Sequence, residues 1–358
     1  MKKKILISSG GSGGHVIPAI AFYDHFKENF DTFLVLDKRG SNFINEKKYK
    51  FKIVKSLRLN FNFLNLPIIL IKLLFSVLKS LFFLKKNKVD ILLSTGGYMS
   101  FPICLAAKII NIKIYLFEPN MVIGRANKFL LKFCKKLFCY STEITNFPKK
   151  HKDKIFVINH ILRKEIYDFN NSYKKENNDI TNLLIIGGSQ GAKFFDNNLK
   201  NSLVNVSKKH KLKIYHQVSY FDFKDLEFFY KENGIESKLF NFEENIFKYI
   251  SEANLAITRA GASTLSELAF LKVPLIAIPY KFATDNHQLE NALDYEKKGS
   301  CWILKEEEFN QDKLTTLLLN IIQNKKDYLR KKNSLEKFGY KNNWNNINEK
   351  LIRYFNEN

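Results

Sequence analysis

Short apolar runs alternate along this chain with longer stretches in which apolar residues recur at helical spacing. The predicted strands of the first half are residues 5–8, 32–36, 90–93 and 113–117, and its predicted helices include 16–26 and 102–109. The pattern restarts later, with predicted strands at residues 183–186, 213–216, 254–258 and 275–278. Because this alternation is typical of parallel sheets covered on both faces, the sequence predicts an α/β protein with doubly wound sheets.

A change in composition marks the middle of the chain. Apolar content falls between residues 168 and 182, where Asn and Lys dominate as in a linker. A chain of 358 residues is also long for one core and suits two α/β domains. We therefore predict a first domain over residues 1–162 and a second over 163–340, with a terminal helix within 341–358 that packs back on the first.

Four glycine-containing turns each follow a predicted strand and precede a predicted helix. They lie in the segments GGSGGH, STGGYMS, GGSQGA and RAGASTLSE, which contain Gly10, Gly96, Gly187 and Gly261. Such a turn presents backbone N–H groups and the positive end of a helix dipole, which together favour anions. A tight turn chosen for packing explains any one of them equally well, so the turns alone leave both interpretations open.

Several side chains in these turns suit nucleotide chemistry. Ser189 is a donor to a phosphate oxygen, and Ser263 and Thr264 either cap their helix or donate to phosphate. Glu267 is a candidate acceptor for the two hydroxyls of a ribose, with a solvated helix glutamate as the alternative. At a helix N-terminus the protonated form of His15 is disfavoured, which leaves a neutral imidazole as candidate base or a residue that merely bonds within its turn.

Net charge restricts the choice of partner. The chain carries 58 Lys and Arg against 35 Asp and Glu, a formal charge of +23, which favours nucleic acid, an anionic membrane surface or phosphorylated ligands. Part of this excess is also explained by a coding bias towards Lys, Asn, Ile and Phe. The scattered basic residues and the lack of a stacking aromatic motif argue against nucleic acid. The lack of a GxGxxG motif argues against a nicotinamide dehydrogenase.

Cysteine and acidic patterns give no sign of a metal or cofactor. The four cysteines lack CxxC spacing and clustered histidines, so neither a zinc site nor a disulfide framework is indicated, and a reducing cytoplasm fits best. No DxD sequence is present, so a catalytic metal is not required. The apolar run near the N-terminus is too short for a signal peptide, and we expect that the protein is not exported.

One apolar segment, residues 61–84, has the length of a membrane span. Pro67, Lys72 and Lys79 interrupt it, and charges near the middle of a span are costly, whereas a helix lying in the membrane plane tolerates them. We expect a membrane-surface contact made by Phe75, Phe82 and the two lysines. A thickly buried packing helix is the alternative.

Six segments stand in the order and spacing of one enzyme family: GGSGGHVIPAIA, STGGYMSFP, FEPNMVIGRANK, IIGGSQGA, TRAGASTLSE and DNHQLENA. Over nearly its whole length the chain resembles the MurG family of glycosyltransferases. The resemblance implies a GT-B fold, in which two Rossmann-like domains face each other across a cleft.

The activity implied by the resemblance is an inverting transfer of N-acetylglucosamine from UDP-N-acetylglucosamine, without a cofactor, at the cytoplasmic face of the inner membrane. The acceptor is the 4-hydroxyl of the muramoyl sugar of lipid I, an undecaprenyl-pyrophosphoryl-muramoyl-pentapeptide, and the product is the peptidoglycan precursor lipid II. A related GT-B transferase that acts on another lipid, such as diacylglycerol, is the alternative.

The resemblance also implies site residues. His15 is the expected base, and Glu118 is its rival or orienting partner. The implied donor-binding residues are Ser12, Gly13, Gly14, Asn120, Arg163, Ser189, Glu243, Ala262, Ser263, Thr264, Leu265, Ser266, Glu267 and Gln288. The chain departs from the family pattern at NHILR (159–163), at FEPN (117–120) and at Phe101, where a glycine is common beside the acceptor site.

Overall fold

The structure, a computed structural model, describes residues 2–54, 66–97, 99–172, 182–219, 223–241, 243, 245–339 and 343–357; of residues 66, 170–172, 189–192 and 339 it describes the backbone alone. The chain divides into two compact units. Unit 1 comprises Met1–Lys164 and Trp344–Asn358, and unit 2 comprises Glu165–Asn343. The middle of the predicted linker and residues 61–65 of the apolar segment lie outside the described residues.

Each unit contains one parallel sheet. In the described part of unit 1 the strands are β1 (Lys4–Ser9), β2 (Asp31–Leu36), β3 (Phe51–Ile53), β4 (Ile91–Gly96), β5 (Lys113–Glu118), β6 (Lys136–Cys139) and β7 (Ile155–Val157), in the order β3-β2-β1-β4-β5-β6-β7. In unit 2 they are β8 (Asn182–Ile186), β9 (Lys213–Gln217), β10 (Glu236–Phe240), β11 (Leu255–Thr258), β12 (Leu275–Ala277) and β13 (Cys301–Ile303), in the order β10-β9-β8-β11-β12-β13. Both orders reverse direction beside the first strand, as in Rossmann-like folds.

Helices connect the strands. The α-helices are α1 (Gly13–Phe26), α2 (Leu66–Lys86), α3 (Ser100–Ile109), α4 (Arg125–Leu130), α5 (Lys164–Ser172), α6 (Gly188–Asn198), α7 (Lys200–Ser207), α8 (Phe223–Glu232), α9 (Phe247–Glu252), α10 (Ala262–Phe270), α11 (His287–Lys297), α12 (Gln311–Gln323), α13 (Lys325–Gly339) and α14 (Trp344–Glu357). Short 3₁₀ helices lie at Gly40–Phe43, Lys149–Lys154, Thr284–Asn286 and Glu306–Glu308.

The predicted fold class is confirmed, since both halves are doubly wound parallel sheets. Every strand predicted above is present with its ends within three residues. The strands that the sequence pattern missed, β3, β6, β7, β10 and β13, have at most five residues. They lie at or next to sheet edges, and runs this short are weak signals of a strand in the sequence.

The terminal helix α14 packs within unit 1. The Phe355 ring lies 4.9 Å from Phe26 and 4.8 Å from Tyr115, and the Trp344 ring is stacked 3.8 Å from His25, measured between centroids. Lys3 Nζ donates to the carbonyl oxygen of Phe355 at 2.9 Å. Because Phe355 is fully buried, this helix completes the core of unit 1.

Candidate functional site

The first glycine turn of unit 1 is held by a carboxylate at the end of the neighbouring strand. Asp37, which follows β2 and is 3% exposed, accepts from the backbone N–H of Gly11 at 3.0 Å and of Gly40 at 2.7 Å. The half-exposed Arg39 lies 3.9 Å from the same carboxyl group. Sequence reasoning missed Asp37, although an acid directly after the second strand of a Rossmann-like unit is a recognisable signal.

Helix α1 begins just after this turn. Ser12 has extended backbone angles, and its carbonyl oxygen accepts from the N–H groups of His15 at 3.1 Å and Val16 at 3.3 Å. Ser12 and Gly13 are half-buried, and Gly14 is exposed. The predicted residues of this turn therefore surround the N-terminus of α1, where helix N–H groups favour an anion.

The hydrogen bond of the His15 side chain determines which ring nitrogen carries the proton. Its Nδ1 lies 2.9 Å from the carbonyl oxygen of Thr95, and the Thr95 hydroxyl donates to the His15 carbonyl oxygen at 3.0 Å. A carbonyl oxygen only accepts hydrogen bonds, so Nδ1 carries the proton. In the neutral imidazole the lone pair is then on Nε2.

Two glycines at the end of β4 permit this arrangement. Gly96 has φ +105°, and a Cβ there would lie 2.7 Å from His15 Nδ1. Gly97 has φ +91°, and a Cβ there would lie 2.5 Å from the carbonyl oxygen of Gly10. Since positive φ and these close approaches exclude other residues, the second glycine turn is shaped to receive the first turn and the imidazole.

Glu118, at the end of β5, anchors the loop that follows it. One carboxylate oxygen accepts from Asn120 Nδ2 at 2.9 Å and from its N–H at 3.3 Å. The other accepts from the Gly124 N–H at 2.8 Å and from Asn127 Nδ2 at 2.9 Å. The side chain is 3% exposed. The predicted Glu118 and Asn120 therefore form one network, to which the structure adds Asn127, a residue of the FEPNMVIGRANK segment that sequence reasoning passed over.

For two other residues predicted to bind the sugar donor, the structure gives less information about a binding role. Arg163, the residue before α5, is 9% exposed. Glu243 accepts from the backbone N–H of Asn245 at 2.8 Å, which closes the turn before α9.

In unit 2, the turn after β8 leads into α6. Gly188 has φ +65°, and its N–H donates to Gln217 Oε1, from the end of β9, at 3.0 Å. The backbone of Ser189 lies in the first turn of α6, and its side chain lies outside the described part. The phosphate-binding role of that hydroxyl stays a prediction.

The turn after β11 leads into α10 in the same way. Gly261 precedes the helix in an extended conformation and supplies no side-chain cap to its first N–H groups. Asn291 Nδ2, from α11, donates to the carbonyl oxygen of Ala260 at 3.0 Å and holds the turn from behind. Because β8 and β11 are paired, with Ile186 opposite Thr258, both unit 2 turns start from neighbouring strands at one sheet edge.

The predicted residues of α10 differ in what they present. Ser263 and Thr264 are half-buried, whereas the Leu265 side chain is fully buried, so it can meet a ligand only through its backbone. The Ser266 hydroxyl donates to the carbonyl oxygen of Ala262 at 2.8 Å. Glu267 is 7% exposed, which excludes the alternative of a solvated helix glutamate.

Gln288 lies in the first turn of α11. Its Oε1 accepts from the backbone N–H of Tyr280 at 3.0 Å, which ties the loop after β12 to this helix. The side chain is half-buried.

Helix α2 is apolar on both sides. One side packs on the core of unit 1 through Val77 and Leu84, while Leu74, Phe75 and Phe82 on the other side are 61%, 59% and 70% exposed. Lys72 and Lys79 are exposed, with Lys79 Nζ 4.4 Å from the Phe75 ring centroid. The stretch Pro67–Lys86 is long and apolar enough to cross a membrane, and 11% of its most apolar window is buried. The alternative of a thickly buried helix is therefore wrong.

Cysteine and metal chemistry find no support in the described residues. No group of three or more His, Cys, Asp or Glu side chains there is placed to hold a metal ion. Burial raises the pKa of the Cys104 and Cys301 thiols to about 12 and of Cys134 and Cys139 to about 11, so these thiols stay protonated and are poor nucleophiles.

Two protein-family models match this chain, one in each half. Residues 5–139 match the model of the glycosyltransferase family 28 N-terminal domain, and residues 182–345 match that of the family 28 C-terminal domain.

Curated relatives match over most of the chain. A UDP-N-acetylglucosamine--N-acetylmuramyl-(pentapeptide) pyrophosphoryl-undecaprenol N-acetylglucosamine transferase of Pelagibacter ubique (strain HTCC1062) is 50% identical over 361 residues, covering 100% of both chains. The transferase of the same description from Rickettsia canadensis is 33% identical, covering 90% of this chain and 92% of its own. The crystal structure of Acinetobacter baumannii MurG superposes with a TM-score of 0.77 at 22% identity, covering 99% of this chain and 100% of that one.

Proposed function

This chain belongs to glycosyltransferase family 28, and from that membership we propose that it transfers N-acetylglucosamine from UDP-N-acetylglucosamine to the 4-hydroxyl of the muramoyl sugar of lipid I, which gives lipid II for peptidoglycan synthesis. The observation that carries the proposal is the 50% identity, over the full length of both chains, to a transferase described by this donor and acceptor. The fold and the four glycine turns agree with it.

The donor nucleotide belongs to unit 2. The N-termini of α6 and α10 supply helix N–H groups and positive dipole ends to the diphosphate. Glu267 accepts from the ribose hydroxyls, and the Gln288 amide, oriented by the Tyr280 N–H, contacts the sugar. Helices α6 and α10 follow the paired strands β8 and β11. This placement supports the assignment, because ligands of open α/β sheets bind outside the carboxyl ends of the strands.

The acceptor and the base belong to unit 1. The proton of the 4-hydroxyl passes to His15 Nε2, and the oxygen attacks C1 of N-acetylglucosamine with inversion. The bond between C1 and the diphosphate oxygen breaks, and UDP leaves with the bonding electron pair. The carbonyl oxygen of Thr95, already bonded to Nδ1–H, stabilises the imidazolium that forms. Helix N-termini offset the charge that develops on the leaving diphosphate.

Glu118 fits a positioning role better than a catalytic one. Its two oxygens accept three hydrogen bonds from the loop that carries Asn120 and one from Asn127 of α4, and these bonds hold the carboxyl group in place. We assign the base to His15 and the shape of the loop after β5 to Glu118.

The exposed side of α2 is the proposed membrane contact. Apolar side chains such as Phe75 and Phe82 enter the interface, while Lys72 and Lys79 remain at the level of anionic head groups. The helix lies in the membrane plane, because its buried side is already part of the unit 1 core. Because lipid I is itself a membrane lipid, this contact supports the proposed location at the cytoplasmic face of the inner membrane.

A transfer assay tests the function. Purified protein and labelled UDP-N-acetylglucosamine are incubated with lipid I or with diacylglycerol in matched micelles, and we expect label in the lipid I product alone. Transfer to diacylglycerol in preference to lipid I would establish the alternative lipid acceptor. A folded preparation that binds UDP yet labels neither lipid would refute the proposal.

A further inference from the structure

Arg259 is a buried cation in the turn after β11, one of the two unit 2 turns proposed to bind the donor. It follows β11 directly, begins the RAGASTLSE segment and is 5% exposed. Its Nη1 lies 2.6 Å from Glu306 Oε2, and both side chains of this ion pair are nearly fully buried. The same nitrogen donates to the carbonyl oxygens of Ile278 at 3.1 Å and Pro279 at 3.3 Å.

The flat guanidinium group also packs between aromatic rings. Its Cζ lies 4.7 Å from the ring centroid of Phe194, 5.1 Å from that of Phe195 and 5.3 Å from that of Tyr280. Phe194 and Phe195 belong to α6, the helix whose first turn is proposed to bind the donor diphosphate. Tyr280 lies on the loop whose backbone orients Gln288. One side chain therefore contacts all three segments assigned to the donor.

Glu306, which lies outside the six segments shared with the family, also contacts the loop after β12. Besides pairing with Arg259, its Oε2 accepts from the backbone N–H of Lys281 at 3.4 Å. The loop after β12 is thus held by Arg259 through two carbonyl oxygens and by Glu306 through an N–H group.

Stability is a weak explanation for this pair. Desolvation lowers the pKa of Arg259, which shows that its charge is held at an energetic penalty that Glu306 partly offsets. A buried ion pair is often no more stabilising than apolar residues of the same volume. What a guanidinium adds is a planar set of donors with fixed directions, which also stacks on aromatic rings.

We infer that Arg259, held by Glu306, is a positioning residue that sets the α6 turn, the α10 turn and the Gln288 loop relative to one another for binding of the nucleoside diphosphate. The inference rests on the proposed placement of the donor in unit 2. It assigns to Arg259 no contact with the substrate.

Two variants test it. Arg259→Lys keeps a buried charge for Glu306 but loses the planar fork. The double variant Arg259→Met with Glu306→Leu removes both charges, so no unpaired ion remains buried. For each we expect the Kd for UDP, measured by calorimetry, and the KM for UDP-N-acetylglucosamine to rise about tenfold with kcat little changed, because displaced donor-binding segments weaken ground-state hydrogen bonds to the nucleotide. A tenfold change corresponds to about 1.4 kcal/mol.

Lys331→Met is the matched control. Lys331 is a cation of unit 2 that is 9% exposed, donates to the carbonyl oxygen of Cys301 at 2.8 Å and lies over Trp302, and these contacts involve none of the donor segments. We expect this variant to lower Tm while leaving the Kd for UDP unchanged.

The outcomes separate the inference from the function on which it rests. A double variant that is folded and binds UDP as tightly as the wild type would overturn the positioning role. A folded wild type that neither binds UDP nor transfers sugar would instead overturn the proposed function.

Discussion

Replacing Phe75 and Phe82 by serine tests the membrane contact of α2 quantitatively. The two rings are 59% and 70% exposed, so the substitutions remove apolar surface without opening a cavity in the core. We expect little change in Tm and a large loss of vesicle binding.

The size of the loss follows from the exposed area. Taking roughly 200 Å² for a phenylalanine side chain, exposures of 59% and 70% leave about 260 Å² available to lipid in total. At about 25 cal/mol per Å², full insertion of both rings would contribute about 6 kcal/mol, and half insertion at the interface about 3 kcal/mol. A loss of about 3 kcal/mol lowers the partition constant about a hundredfold.

Sedimentation with vesicles of phosphatidylethanolamine and phosphatidylglycerol measures that constant. Phe228→Ser is the matched control, because Phe228 lies on α8 of unit 2 and is 61% exposed. It should leave binding unchanged. Repeating the measurement at high salt isolates the electrostatic contribution to binding, since the lysines of α2 each add about 1 kcal/mol that is screened at high ionic strength. Undiminished binding by the double serine variant, or an equal loss in the Phe228 variant, would refute the in-plane contact.

Four other predictions follow from the site and the core. His15→Ala should lower kcat about a hundredfold or more with the calorimetric Kd for UDP unchanged; unaltered turnover would remove His15 from the mechanism. Glu267→Gln should raise that Kd about tenfold, through lost hydrogen bonds to the ribose, and should spare binding of uracil; an unchanged Kd would reject the ribose contact. Gly97→Ala should destabilise unit 1 by about 2–3 kcal/mol in urea unfolding, since it combines positive φ with a backbone clash. Gly299→Ala is the control, because Gly299 has φ +76° but open space around it, so this variant should show the smaller loss of stability caused by backbone strain alone. Equal losses of stability in the two variants would rule out the clash with the Gly10 carbonyl oxygen. Burial lowers the pKa of His25 to about 3, so as pH falls below 6.5 a proton binds His25 in the unfolded chain before it binds in the folded protein. This binding lowers the free energy of unfolding of the wild type by about 2 kcal/mol between pH 7 and pH 5. The His25→Phe variant should lack this loss. Parallel losses in the two proteins would contradict that reasoning.

Local sequence signals sufficed for the elements that carry the site. Each of the four turns combines an apolar strand, one or more glycines and a helix start, and all of these are readable within about fifteen residues. The order of six segments, four of which contain these turns, then indicated the family. The same signals place His15 in the first turn of α1 and Glu267 inside α10, as the structure does.

Contacts between distant segments were beyond local reasoning. The partner of His15 Nδ1 is a backbone oxygen 80 residues away, and the partner of Arg259 is an acid 47 residues away in the 3₁₀ helix Glu306–Glu308. No pattern in the sequence around either partner identifies it as the partner. Helix α2 illustrates a different limit, since periodicity cannot distinguish a helix that is apolar all round and buried from one whose second side meets lipid.

The two interpretations of the glycine turns, as packing devices or as ligand sites, are compatible with each other. Gly97 packs against the Gly10 carbonyl oxygen, and Gly96 leaves room for the imidazole, so close packing of two turns is what brings the Thr95 carbonyl oxygen to His15 Nδ1. That hydrogen bond selects the tautomer with a basic Nε2. In unit 2 the Gly188 N–H is likewise held by Gln217 and the Ala260 carbonyl oxygen by Asn291, so each helix N-terminus is fixed before a ligand arrives. In the proposed reaction, helix dipoles fixed in this way would stabilise the leaving diphosphate without rearrangement.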